Sequence, residues 1–280
     1  MKSEAIKEFY MINDKLAMVN NLTIFEKITK PSVYEVIRII GGIPLFLEDH
    51  LRRMFDSAHI INHNIALTEK EIRASIKEII LKNNIDRSNI KLLSSEVEGM
   101  GSVFMIYCVE SFYPPIEYYT KGISTILFHY ERENPNAKVL VSSFKEDVSN
   151  AMMEKNAFEA ILVRKDGYIP EGSKSNIFFV KNDQIYTAPK EEILLGITRK
   201  HLFEIADKLN VKIIEQSIHV DDIEKLEGAF ITGTSVNILP ISKIDNTYIN
   251  SVNNKIIKEL NEAYNDLINE YIEKNKLVWQ

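Results

Sequence analysis

The chain holds a single cysteine, Cys108, so an internal disulfide and a multi-cysteine zinc site are both excluded. Long apolar runs are missing as well. The longest, Val103–Val109, falls far short of the roughly 20 residues that a bilayer span requires. The opening stretch MKSEAIKEFYMIND is charged from its second residue and has no apolar signal core. These features predict a soluble cytoplasmic protein with no membrane partner. Basic residues are outnumbered, with 34 Lys and Arg against 40 Asp and Glu and a net charge of −6. Charges of both signs are mixed along the chain, which excludes a broad basic surface for nucleic acid but leaves room for a local phosphate pocket.

Several catalytic signatures are absent too. His50, His59, His63, His129, His201 and His219 never form HExxH, and no metal is expected. His59 and His63 have the i,i+4 spacing of a metal pair, but polar flanks and no nearby acid make them solvated surface residues. GxGxxG, the P-loop and GxSxG do not occur, so dinucleotide, NTPase and serine-hydrolase readings have no support.

What is present is an ordinary globular composition, 45% hydrophobic and 26% charged over 280 residues, enough for one large domain or two small ones. Strands are predicted at Glu8–Ile12, Leu16–Val19, Val33–Ile40, Ile90–Leu93 and Val103–Val109. Leu47–Ile61 carries apolar residues at helical spacing, and Thr68 with Glu71 forms a capping box before a second helix. Glu110–Thr120, with Pro114-Pro115, reads as a linker, because a proline pair continues neither a helix nor a central strand. Beyond it, strands are predicted at Ile123–His129, Ala157–Val163, Ile177–Val180, Gln184–Thr187 and Ala229–Thr232. Helices are predicted at Asp147–Lys155, Thr198–Leu209 and about 252–274. The expected architecture is α+β in two domains, a smaller one over 1–115 and a larger one over 116–280.

Three stretches stand out. The first runs from Tyr34-Glu35-Val36-Ile37-Arg38 through Leu47-Glu48-Asp49-His50 to Arg53. The second is Glu171-Gly172-Ser173-Lys174-Ser175-Asn176-Ile177-Phe178. The third is Leu194-Leu195-Gly196-Ile197-Thr198-Arg199, followed later by Thr232-Gly233-Thr234-Ser235. Each alone is a polar loop, a turn or a strand end. Together they point to a phosphate pocket and a carboxylate. Gly196 permits a sharp turn, after which the amides of Ile197 and Thr198 open a helix whose start attracts an anion. Thr234 and Ser235 add hydroxyls, and Arg53 adds charge.

In this order the stretches resemble the class IV aminotransferases, the fold-type IV pyridoxal-phosphate enzymes that include branched-chain and D-amino-acid aminotransferases and aminodeoxychorismate lyase. The similarity runs from about Tyr34 to Pro240. It implies a D-amino-acid-aminotransferase-like fold, pyridoxal 5'-phosphate as cofactor, a homodimer, and transfer of an amino group between a small amino acid and a 2-oxo acid. By the same resemblance Arg53 matches the phosphate arginine and Glu171 the partner of the pyridine nitrogen. Ile197, Thr198, Thr234 and Ser235 match the phosphate loops, and Leu194 a side chain packed on the ring. The family lysine, which holds the cofactor as an aldimine and moves the substrate proton, precedes a helix that leads into the strand at Phe158. Lys138 lies 20 residues before Phe158 and Lys145 only 13, so Lys138 is taken and Lys145 is the alternative.

Departures from the family pattern keep other readings open. Ser143 stands where some relatives have a tyrosine, and Lys30-Pro31-Ser32 stands where Gly-Asp-Gly is usual. The loop from Ser94 to Gly101, with Glu96 and Glu98, lacks the arginine and histidine that clamp a D-amino acid. Tyr34 and Arg38, on one face of a strand, are the candidate substrate contacts. A pyruvate-eliminating lyase is the runner-up, and a non-catalytic binding module the further alternative.

Overall fold

The computed structural model describes residues 4–19, 23–97, 99–132, 135–139 and 142–279. Glu98 and the side chains of Lys30, Pro31, Ser143 and Lys145 lie outside that description. The chain divides into two compact units. One comprises Met1–Phe112, Ala137–Leu140 and Ile268–Gln280, and the other Tyr113–Asn136 and Val141–Leu267.

The first unit is built on β1 (Phe9–Ile12), β2 (Lys15–Met18), β3 (Ile28–Ile40), β4 (Ile43–Pro44), α1 (Leu47–Ile60), α2 (Glu69–Lys82), β5 (Arg87–Val97) and β6 (Gly101–Val109). The strands form one antiparallel sheet in the order β2-β1-β6-β5-β3-β4. Strand β3 starts at Ile28, so Lys30-Pro31-Ser32 lies within it. Its register against β5 shifts between Ile28 and Ser32, and such an irregularity is where a strand tolerates proline.

Side chains alternate along β3. Ile37 and Ile39 face α1 and α2, whose Leu47, Leu51, Met54, Ile72 and Ile76 complete a dry core. Tyr34 packs on the opposite face with Leu93, Met105, Tyr107, Tyr10 and Phe25. Helix α1 buries Leu47, His50, Leu51, Met54, Ser57 and Ala58, one stripe at helical spacing that includes two polar residues. Helix α2 opens on the predicted capping box, with Thr68 accepting from the Glu71 amide while the Glu71 carboxylate accepts from the Thr68 amide.

The second unit contains β7 (Ile123–His129), α3 (Ser142–Glu154), β8 (Glu159–Val163), β9 (Asn176–Lys181), β10 (Gln184–Thr187), α4 (Ile197–Lys208), β11 (Ile213–Glu215), β12 (Gly228–Gly233) and β13 (Asn237–Ile244); α5 (Lys255–Trp279) belongs to it as far as Leu267 and to the first unit from Ile268 on. Its mixed sheet runs β11-β10-β9-β12-β13-β7-β8. The fold is α+β, as the sequence predicts.

Three local differences from the expected elements stand out. The segment read as a linker contains a short helix, Ile116–Lys121, which starts directly after Pro115 and stops at Gly122, with φ 75°. Helix α3 begins at Ser142, five residues before the predicted start. Strand β13 lies where no element is expected from the sequence, and its Pro240 pairs opposite Phe230 near the middle of the strand. Among the described residues no helix is long and apolar enough to cross a membrane.

Replacing Thr68 by Ala is expected to lower stability by about 1 kcal/mol, the usual worth of a cap. A urea melt showing an unchanged midpoint would contradict that role.

Candidate active site

Glu35 has no exposed surface, and an unmatched carboxylate there would be costly. Arg53, three residues along α1 from His50, grips it in bidentate fashion. Nε donates to Oε1 at 2.7 Å and Nη2 donates to Oε2 at 2.6 Å. His50 Nδ1 lies 2.7 Å from Oε2, and because an ionised carboxylate only accepts, the imidazole donates there. Burial alone would raise the Glu35 pKa, but the Arg53 charge and the hydrogen bonds from Arg53 and His50 bring it down to about 2. Burial lowers the His50 pKa; Glu35 opposes this, while the Arg53 and Lys138 cations reinforce it. His50 is therefore a neutral donor at pH 7.

On its outer edge β3 pairs with β4 only at Ile39 and Ile40. Further back the edge receives the segment around Lys138. Val139 bridges Val33, the Tyr34 amide donates to the Lys138 carbonyl at 3.2 Å, and the Lys138 amide donates to Ser57 Oγ at 3.2 Å. Lys138 Nζ then lies 4.9 Å from the centre of the Tyr34 ring. Arg38 is buried on the face that Tyr34 shares, as the alternation predicts. Lys145 lies on α3, in the second unit.

In the second unit Glu171 is 3% exposed. Its Oε1 forms an ion pair with Arg132 Nε at 2.7 Å, and its Oε2 accepts from the Leu194 amide at 3.2 Å. Arg132 is itself fixed, donating from Nη2 to the Ser173 carbonyl and lying over the Phe144 ring. Asn176 clamps the next turn. Its Nδ2 donates to the Leu194 carbonyl at 2.8 Å, and its Oδ1 accepts from the Gly196 amide at 3.1 Å. Gly196 has an ordinary φ of −68°, so a sharp turn is not why glycine is needed. A Cβ there would lie 2.1 Å from Asn176 Oδ1. The absent side chain makes room for the clamp.

Helix α4 starts at this point with no side-chain cap. The amides of Ile197 and Thr198 are the first of its N-terminal donors, and the dipole adds partial positive charge. Thr198 Oγ1 accepts from the buried Tyr264 hydroxyl at 3.2 Å. Thr234 and Ser235 occupy the half-buried turn between β12 and β13. Thr232, opposite Asn176 in the sheet register, has a buried hydroxyl with no hydrogen-bond partner among the described residues.

Residues 32–244 match the family model described as amino-transferase class IV, and that span covers most of the chain. The chain belongs to the class IV aminotransferase family. A branched-chain-amino-acid aminotransferase of Pseudomonas aeruginosa is 29% identical over 256 residues, covering 84% of this chain and 83% of its own length. A D-alanine aminotransferase of Bacillus licheniformis is 29% identical over 230 residues, with 78% and 81% covered. The fold matches the branched-chain aminotransferase of Escherichia coli with a TM-score of 0.85 at 21% identity, covering 94% of this chain and 95% of that one. The enzyme from Thermobaculum terrenum, solved in its PLP form, matches with a TM-score of 0.81 at 20% identity and 95% coverage of both.

This aminotransferase is pyridoxal-phosphate dependent, and its substrates are amino acids and 2-oxo acids. The residues present fit that cofactor. An uncapped helix start and an orphaned buried hydroxyl suit a group with several anionic oxygens. A buried, backbone-anchored carboxylate suits a ring N–H.

Residue-by-residue reading missed the supports. Glu35, His50 and Asn176 all stand in the quoted stretches, yet only their partners in space reveal what they hold. Arg132 and Tyr264 carried no sequence signal, and nothing local could have supplied one. His63, read as solvated, is hydrogen-bonded through Nε2 to Ser94 Oγ at 2.8 Å.

Two outcomes are expected. Gly196→Ala or Asn176→Ala breaks the clamp and weakens pyridoxal-phosphate binding by roughly tenfold or more, the cost of losing one or two buried hydrogen bonds; fluorescence titration reads this. Glu35 is acid-shifted in the fold, so its stabilisation is present above its ordinary pKa of 4.5 and is lost as the pH falls toward 2. Thermal melts between pH 6 and pH 3 are therefore expected to fall less steeply for Glu35→Gln than for wild type, and parallel slopes would refute the assignment.

Proposed function

We propose that Lys138 is the lysine that bonds the cofactor and moves the substrate proton, with an amino donor that is a small, uncharged amino acid. The observation that carries this reading is the seating of Lys138 on the β3 edge. Its amide and carbonyl are both hydrogen-bonded, and its ammonium group is beside Tyr34. A main chain held at both ends delivers the amine to one place, which a proton-transferring group requires.

The cofactor, when bound, supplies the electron sink for the pair released when the Cα–H bond breaks. The remaining work belongs to the chain. By the family resemblance Arg53, its guanidinium plane set by Glu35, would be the phosphate arginine, and the Ile197 and Thr198 amides and the Thr234 and Ser235 hydroxyls would be the phosphate loops. Glu171, steadied by Arg132 and the Leu194 amide, would accept the N–H of the pyridine ring and keep that nitrogen protonated, and Leu194 would pack on the ring. Tyr34 and Arg38 meet the substrate. Relatives named for branched-chain substrates support a donor side chain without charge. The family resemblance supports a homodimer, and a lone buried thiol at Cys108 suits a reducing, cytoplasmic setting.

The test is a visible spectrum with added pyridoxal phosphate, before and after borohydride, for wild type, Lys138→Ala and Lys145→Ala. A band that borohydride fixes covalently is expected in wild type and Lys145→Ala and is lost in Lys138→Ala. A fixed band persisting in Lys138→Ala but lost in Lys145→Ala would transfer the role to Lys145.

A further inference from the structure

In the second unit, helix α5 packs closely on the sheet. Gly228 opens β12, and a Cβ there would lie 2.9 Å from Ile257 Cδ1 of the helix. Leu260 and Tyr264 continue the buried stripe that Ile257 begins. An apolar residue would fill the Tyr264 position equally well, and a phenol hydroxyl buried there is a liability unless it is bonded. It donates to Thr198 Oγ1, 3.2 Å away and also buried. The next residue on the helix, Asn265, holds a different segment. Its Oδ1 accepts from Asn237 Nδ2 at 3.3 Å. Asn237, with φ 52°, pairs with Gly233 across the turn that carries Thr234 and Ser235. Two successive residues of α5 thus support the start of α4 and the turn between β12 and β13, the two stretches that the family resemblance makes phosphate loops.

The polarity of the Tyr264–Thr198 bond has a chemical consequence. A threonine hydroxyl has one hydrogen to give and two lone pairs to receive with. Because Tyr264 donates, Thr198 Oγ1 is the acceptor and its own hydrogen is still available to give. A fully ionised phosphate group can only accept, so it needs a hydroxyl that is set to donate. Receiving a hydrogen bond also polarises the Thr198 O–H and strengthens the bond that it gives. The Thr198 amide is a separate donor, fixed by the helix backbone and independent of the tyrosine.

We propose that Tyr264 is a positioning residue for the cofactor phosphate, acting through Thr198. Its hydroxyl donates to Thr198 Oγ1 and so sets that oxygen to donate to a phosphate oxygen. The proposal rests on Thr198 belonging to the phosphate loops.

The experiment is fluorescence titration of the full-length chain with pyridoxal 5'-phosphate and with pyridoxal, which lacks the phosphate. It compares wild type, Tyr264→Phe, Thr198→Val and the double variant. Tyr264→Phe keeps the buried ring and removes only the hydroxyl, and a urea melt checks that the fold is retained. The ratio of the two affinities reads the contribution of the phosphate alone. Tyr264→Phe is expected to lower that ratio roughly tenfold, the worth of one hydrogen bond to a charged group, with pyridoxal binding unchanged. Thr198→Val is expected to lower it at least as far. Adding Tyr264→Phe to Thr198→Val is expected to change it no further, because the hydroxyl through which the tyrosine acts is already gone. An unchanged ratio in Tyr264→Phe beside a lowered one in Thr198→Val would overturn the proposal and leave the phosphate loops standing. Equal weakening of both ligands by Tyr264→Phe, or additive losses in the double variant, would make Tyr264 a packing residue and overturn it too. An unchanged ratio in Thr198→Val would refute the phosphate role of Thr198 itself, and the relay with it.

Discussion

A carboxylate with no access to water must be matched charge for charge, and in this chain Glu35 is matched by Arg53 and His50. That requirement ties β3 to α1 at one depth and one rotation. Arg53 cannot leave without stranding the acid, and His50 stays neutral chiefly because it is buried, with the Arg53 and Lys138 cations adding to that effect. The guanidinium is consequently oriented before any ligand arrives. Preorganisation of this kind spares the cost of ordering a long, flexible side chain, which is what the phosphate-binding role proposed for Arg53 requires.

Strand β3 separates two kinds of work through its pleat. Glu35, Ile37 and Ile39 face the helices, where the core and the arginine clamp are built. Tyr34, Val36 and Arg38 face the other way, where Lys138 and Lys91 approach the Tyr34 ring from different parts of the chain. A register slip of one residue would exchange the two faces, placing a buried acid among apolar side chains. The long antiparallel pairing with β5, from Ile28 to Ile40, opposes that slip.

The second unit follows a similar logic with backbone donors. Asn176, Leu194 and Gly196 form a small hydrogen-bonded assembly that ends a loop and starts α4. Helix α4 has no side-chain cap, which would be a defect in a purely structural helix, and Asn176, which holds the Gly196 amide at its start, pairs in the sheet with Thr232 of β12, whose hydroxyl is orphaned. Local imperfection concentrated at one place is the ordinary mark of a binding site.

Much was determined by the chain's own order of residues. The alternation in Val33–Ile40, the helical stripe of Leu47–Ile61 and the Thr68–Glu71 box are local patterns, and local physics reads them directly. The motif series from Arg53 to Ser235 likewise carried the family. Tertiary structure decided what those residues lean on. Only the fold brings Glu35 to Arg53, Arg132 to Glu171, Tyr264 to Thr198 and Glu4 to Lys91. It also gave Gly196 its reason, a collision avoided with Asn176 rather than a backbone angle. Periodicity and capping act over a few residues, whereas a buried charge selects its partner from whatever the sheet register and helix packing bring within 3 Å, and that choice is not written in any neighbouring stretch of sequence.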